Sequence, residues 1–127
     1  MSEPSRFFSR LCIAAGILAL ASCDGGAPSR ESARAQATSA ICQRIDMCGQ
    51  IGDGKSFPTL DACQLKWQAN WDGAWPASAC DGKIDAAQFD VCISAIKGTA
   101  CSLADLAVTL GKCSATNVCD AASPDGG

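Results

Sequence analysis

Apolar residues recur at helical spacing in four stretches, separated by glycine, proline and small polar residues. From about Arg30 to Cys48, Ala37, Ile41, Ile45 and Cys48 form one stripe, and Gly49 is a stop signal. Gly49 to Pro58, which contains Gly52-Asp53-Gly54, reads as a loop. A second helix starts near Thr59 and runs to about Gly73, carrying Leu60, Cys63, Trp67 and Trp71. The third opens on a capping box, Asp85 with Gln88 three residues on, followed by Phe89, Cys92, Ile93 and Ile96 at helical spacing, with Gly98 after them. The fourth has Ser102 as its cap with Asp105, then Leu103, Leu106, Ala107 and Leu110 as its stripe, and Gly111 closes it. No five-residue segment alternates as a strand. The expected class is all-α, a small bundle of about four short helices.

The apolar pattern at the N-terminus is of another kind. Arg6 and Arg10 precede a mostly apolar run, Leu11 to Leu20, that leads into Ala21, Ser22 and Cys23. A membrane-spanning helix needs about 20 apolar residues, and this run is too short. Its order of basic head, apolar centre and small residues is that of a secretory signal. Leu20-Ala21-Ser22-Cys23 resembles the lipobox of bacterial lipoproteins. The resemblance implies that residues 1–22 are removed and that Cys23 is acylated, with a diacylglycerol on its sulfur and two or three chains (palmitate among the expected ones) in all. One chain alone anchors marginally, whereas two hold. The implied address is the bacterial cell envelope, lipid-anchored and facing the periplasm or the cell surface. An ordinary signal cut after Ala19-Leu20-Ala21 is the alternative. Asp24 to Ser32 reads as a flexible tether and Ala121 to Gly127 as a disordered tail. The expected division is residues 1–22 signal, 23–36 lipidated Cys, tether and start of the first helix, 37–120 helical domain, and 121–127 tail.

Cysteine arithmetic supports the acylated reading. The chain has 10 cysteines, and Cys12 leaves with the signal. Acylating Cys23 then leaves an even set: Cys42, Cys48, Cys63, Cys80, Cys92, Cys101, Cys113 and Cys119. In a chain this short and this rich in cysteine, four bridges are expected, and they would supply much of the stability. Cys42 and Cys48 are about 9 Å apart along a helix axis, too far to join. Cys63 and Cys92 lie on apolar stripes, where a bridge pins one helix to another. Favouring short loops, the expected pairing is Cys42–Cys80, Cys48–Cys63, Cys92–Cys101 and Cys113–Cys119.

Several chemistries are missing from the sequence. It has no His, so His-based acid–base catalysis, Ser-His-Asp triads and His-containing metal sites are excluded. No C-x-x-C pair occurs, which argues against structural zinc and thioredoxin-like redox chemistry. Loss of Glu3, Arg6 and Arg10 with the signal leaves 8 basic and 12 acidic side chains, and the basic ones are scattered singly. Nucleic acid is therefore not an expected partner. Asp81 to Phe89 resembles the second half of an EF-hand loop. However, positions one and three of that loop fall on Ala77 and Ala79, and the twelfth is Gln88, so a hard cation lacks most of its ligands. Ser94-Ala95-Ile96-Lys97 matches S-x-x-K without its partner motifs, and the chain is too short for that fold. No metal, cofactor or enzymatic activity is expected.

Trp67, Trp71 and Trp75 follow one another at four-residue steps. In a small bundle such residues are chiefly core, and Trp75 should drift off the edge of the shared face. The same stretch is also the place to look for a binding surface. In layout the chain resembles the small cysteine-rich lipoproteins of bacterial envelopes, a largely uncharacterised group. The expected function is a non-enzymatic envelope lipoprotein that presents a rigid disulfide-rich helical module, structural or partner-binding. The alternative is a binder of a small apolar ligand or lipid within that module, which a cavity of about 300 Å³ or more would favour. The membrane, through Cys23, is the one partner implied; the protein or small-molecule partner is not.

Overall fold

The computed structural model describes residues 26–119; the signal segment, Cys23 and the expected tail lie outside them. Six helices follow in order: α1 Arg30–Met47, α2 Leu60–Ala74, α3 Ala77–Cys80, α4 Ala86–Gly98, α5 Leu103–Lys112 and α6 Ala115–Val118. The protein is a small all-α bundle cross-linked by four disulfides. Among the described residues the only β-type pairing is an isolated bridge between Ile51 and Phe57. No described helix is long and apolar enough to cross a membrane.

Each of the four longer helices begins at a side-chain cap. Ser29, Thr59, Asp85 and Ser102 accept from the backbone N–H of Ser32, Ala62, Gln88 and Asp105, satisfying a donor that the first turn leaves free. α1 starts at Arg30, where the apolar pattern places it, so residues 30–32, which the tether reading also claimed, are helical. α1 ends in a Schellman motif: Gly49 N–H donates to Asp46 O and Gln50 N–H to Ile45 O. Gly49 takes φ +72° there, the left-handed conformation the motif requires. The single turns α3 and α6 carry no apolar period and escaped the pattern. Each packs on the other, and their ends are bonded through Cys80 and Cys119.

α1 packs on both α2 and α4, and α4 in turn holds α5 and α6. The contact face of α1 is small, with Ala33, Ala37, Thr38 and Ala40 buried, so its neighbours approach closely. Ile41, Trp71, Trp75, Phe89, Cys92 and Ile96 form the centre of the core. Across the α1–α2 contact, Arg30 and Arg34 both face the Asp72 carboxylate. Arg30 also donates to Asp72 O and, through Nε, to Trp75 O.

All eight expected cysteines are bonded, but in a different pairing: Cys42–Cys63, Cys48–Cys101, Cys80–Cys119 and Cys92–Cys113. None of the four pairs anticipated from short loops forms. The reason is topological. The bonds join residues that helix packing brings together, α1 to α2 through Cys42–Cys63 and α4 to the end of α5 through Cys92–Cys113, whatever the length of chain between them. Cys80–Cys119 encloses Cys92–Cys113, so those two rings are nested. Cys48–Cys101 is the only bond that ties the Cys42–Cys63 ring to that nested pair.

Candidate functional site

The edge of the bundle where α5 sits has less cover than the rest. α5 packs on α4, and its one buried residue is Thr109. Its expected inward stripe is only partly covered: Leu106 and Leu110 are half-buried, Ala107 is exposed, and Leu103 is 86% exposed. The stripe does not turn wholly inward because, among the described residues, α4 is the one helix packed extensively against α5. Its Leu103–Leu106 end forms one wall of a groove of 370 Å³.

The opposite walls come from α1, through Ile41 and Ile45, and from α2, through Trp67. Phe57 supplies the next side from the loop between them, and backbone bonds hold it there. Phe57 N–H donates to Gln50 O at 3.1 Å, and Phe57 O accepts from Gly52 N–H at 2.8 Å. Gly52 has φ +134°, which side-chain-bearing residues rarely adopt, so the loop needs glycine to fold back in this way. The Cys48–Cys101 disulfide also lines the groove. It is the least covered of the four bridges: Cys101 is exposed and Cys48 half-buried, whereas the other six half-cystines are buried.

The lining is largely apolar, with a short polar edge. Gln50 and Ser56 are joined there by a hydrogen bond from the serine hydroxyl at 2.9 Å. Among the described residues, Arg44 is the only charged one that lines the groove. Its stem is half-buried on α1, and its Nε donates to Thr99 O at 2.7 Å, which fixes the guanidinium against the 99–101 segment.

The three tryptophans do not act as one surface. Trp67 is half-buried and reaches the groove, while Trp71 and Trp75 belong to the core. Ring centroids step inward from Trp67 to Trp71 at 5.6 Å, to Trp75 at 4.6 Å in a stacked pair, and on to Phe89 at 6.0 Å edge-on. Trp75 is fully buried and does not drift off the face as helical spacing predicts. The helix stops at Ala74 because the residue before a proline disfavours helical backbone, and Trp75 leaves with φ −119° and ψ 73°. Its indole N–H donates to Cys113 O at 2.7 Å. The buried indole N–H groups of Trp67 and Trp71 have no acceptor among the described residues, and nothing in the fold explains this.

Other residues marked in the sequence are not brought together. Ser94 and Lys97 are both exposed on α4. Asp85, from the partial EF-hand pattern, caps α4, and no group of three metal-ligating side chains gathers among the described residues. The sequence reading missed Arg44, Phe57 and the exposed end of α5. Periodicity marks an apolar face but does not show whether the bundle has a helix to cover it.

Groove, caps and four bridges, three of them buried, define a disulfide-stapled helical module, and bonds of this kind fit an oxidising, extracytoplasmic compartment. The chain belongs to the DUF6184 family, a family of unknown function, whose model matches residues 42–121 and so spans all eight bonded cysteines. No curated protein and no solved structure matches it.

Proposed function

We propose that this protein is a non-enzymatic lipoprotein of the bacterial cell envelope, held on the membrane through acylated Cys23, whose helical module binds a small apolar ligand in the groove between α1, α2 and α5. One observation carries the binding reading: the apolar stripe of α5 is left half uncovered and faces Ile41, Ile45, Phe57 and Trp67 across a 370 Å³ groove. Sites for small molecules run from about 300 to 1,000 Å³, mostly apolar with a few placed polar groups, and this groove fits that description. A second pocket of 390 Å³ lies between α4 and α5, but Asp105, Thr109 and Lys112 line it and it lacks the aromatic walls of the groove. The anchoring reading rests on Leu20-Ala21-Ser22-Cys23 and on the even set of bonded cysteines that remains without Cys23.

The test of binding is titration of the oxidised, non-acylated Cys23→Ser protein with the neutral probe N-phenyl-1-naphthylamine. Saturable fluorescence enhancement is expected, and it should weaken about tenfold or more in the Leu103→Ser/Leu106→Ser variant. Leu103 is exposed, whereas Leu106 is half-buried against the core, so circular dichroism and the melting temperature of the variant are measured alongside. An intact protein that gives no enhancement would overturn the reading. For the anchor, fatty-acid labelling in cells should mark the native chain and be lost in Cys23→Ser.

A further inference from the structure

Among the described residues the groove holds one charge, and that charge has no carboxylate in salt-bridge reach. Arg44 is its only charged lining residue, in a chain whose net charge is −3. No carboxylate lies within salt-bridge distance of Arg44 among the described residues; Asp72 faces Arg30 and Arg34 instead. The guanidinium uses one N–H group, at Nε, on Thr99 O. Its terminal nitrogens have no partner among the described residues, yet they are not among the sealed, unsatisfied atoms, so they remain open to the solvent side. A half-buried arginine held by its inner nitrogen, with its outer pair free beside apolar walls, is set to receive a planar anion end-on.

We infer that the groove takes a single-chain amphiphile with a carboxylate head, the tail lying against Ile45, Phe57, Trp67 and Leu106 and the head on the outer nitrogens of Arg44. This rests on the groove-binding function proposed above and names its ligand class. A volume of 370 Å³ is near the lower end for small-molecule sites, which argues for one tail over two. The other polar lining residues, Gln50, Ser56, Thr99 and Ser102, are neutral; the carboxylate next to them, Asp105, does not line the groove and accepts from the Ser102 hydroxyl.

Calorimetric titration of the oxidised Cys23→Ser protein with dodecanoate, dodecanol and dodecyltrimethylammonium separates the possibilities. Dodecanoate should bind at least about tenfold more tightly than dodecanol, since a hydrogen bond to a charged group contributes that much or more, and the cationic amphiphile should be weakest. In Arg44→Gln the affinity for dodecanoate should fall to that for dodecanol in the same variant, and Arg44→Lys should recover only part of the preference because a lysine has no planar fork. Equal binding of dodecanoate and dodecanol by the unaltered groove would overturn the carboxylate assignment and leave the apolar groove standing. Binding of none of the three would overturn both. The comparison among the three ligands decides the matter even if the arginine variants fold poorly.

Discussion

Cys48 and Cys101 are 53 residues apart in the chain and 5.7 Å apart at their Cα atoms, and their bond joins two sets of covalent rings that are otherwise separate. Cys48 is the C-cap of α1, and Cys101 lies just ahead of the Ser102 cap of α5, so one bond fixes two helix ends and one side of the groove. The chain-entropy relation assigns about 4 kcal/mol to a loop of this length and about 3 kcal/mol to each of the 21-residue loops.

Its exposure sets an order of reduction. Thiol–disulfide exchange needs access to sulfur, and the other three bonds are buried. Stepwise reduction with alkylation and peptide mass spectrometry should label Cys48 and Cys101 first, well before the remaining six cysteines. The Cys48→Ser/Cys101→Ser protein should stay folded by circular dichroism, melt at a lower temperature and bind the groove probe less tightly. Simultaneous labelling of all eight cysteines would contradict this order.

The tryptophans should respond unequally to an aqueous quencher. Trp71 and Trp75 are buried and Trp67 is only partly covered. Acrylamide should quench a minor fraction of the native emission, and Trp67→Phe should remove that fraction. Trp75→Phe takes the donor away from Cys113 O and should cost roughly 1–3 kcal/mol for that bond alone, measured by denaturant unfolding.

Asp72 gives the α1–α2 contact an acid limit. The hydrogen bond from Arg30, and then the charge of Arg34, hold its carboxyl below its ordinary value of 3.8. A lowered native pKa means that the unfolded chain binds the proton more readily, so the contribution is complete above about pH 4 and is lost as pH falls through the native value. Asp72→Asn should therefore lower the melting temperature slightly at pH 7, and the difference from the parent should shrink below pH 4. The effect should be small and sensitive to salt, because the side chain is exposed. A difference that grew with acidification would contradict the assignment.

Gly52 tests whether the loop positions Phe57. An added Cβ meets no close neighbour, the nearest being Lys55 Cγ at 3.9 Å, so the cost of Gly52→Ala is the backbone strain at φ +134°, roughly 1–3 kcal/mol. Stability should fall by that amount, and probe affinity should fall with it as Phe57 is displaced. Unchanged affinity would show that Phe57 is not needed for the groove.

Local signals in the chain were enough to find the four longer helices. Thr59, Asp85 and Ser102 marked their starts through short-range side-chain hydrogen bonds, and Gly49 marked a stop that the Schellman bonds account for. α3 and α6 left no trace because a single turn is too short to show a period, and neither helix has a side-chain cap. The groove was legible only in part: Trp67 stood out by residue type, whereas Arg44 was one scattered cation among several.

By itself the sequence determined the helical class, three of the four side-chain caps and the eight cysteines available for bonding, since each follows from residue type or from spacing within a few positions. Which cysteines bond, which tryptophan stays near solvent and which end of an apolar stripe goes uncovered were decided by the tertiary structure. Those outcomes depend on how helices far apart in the chain come to lie side by side. Loop length gave no guide to the pairing, because closing 53 residues instead of 21 adds only about 1 kcal/mol of chain entropy, which packing readily outweighs.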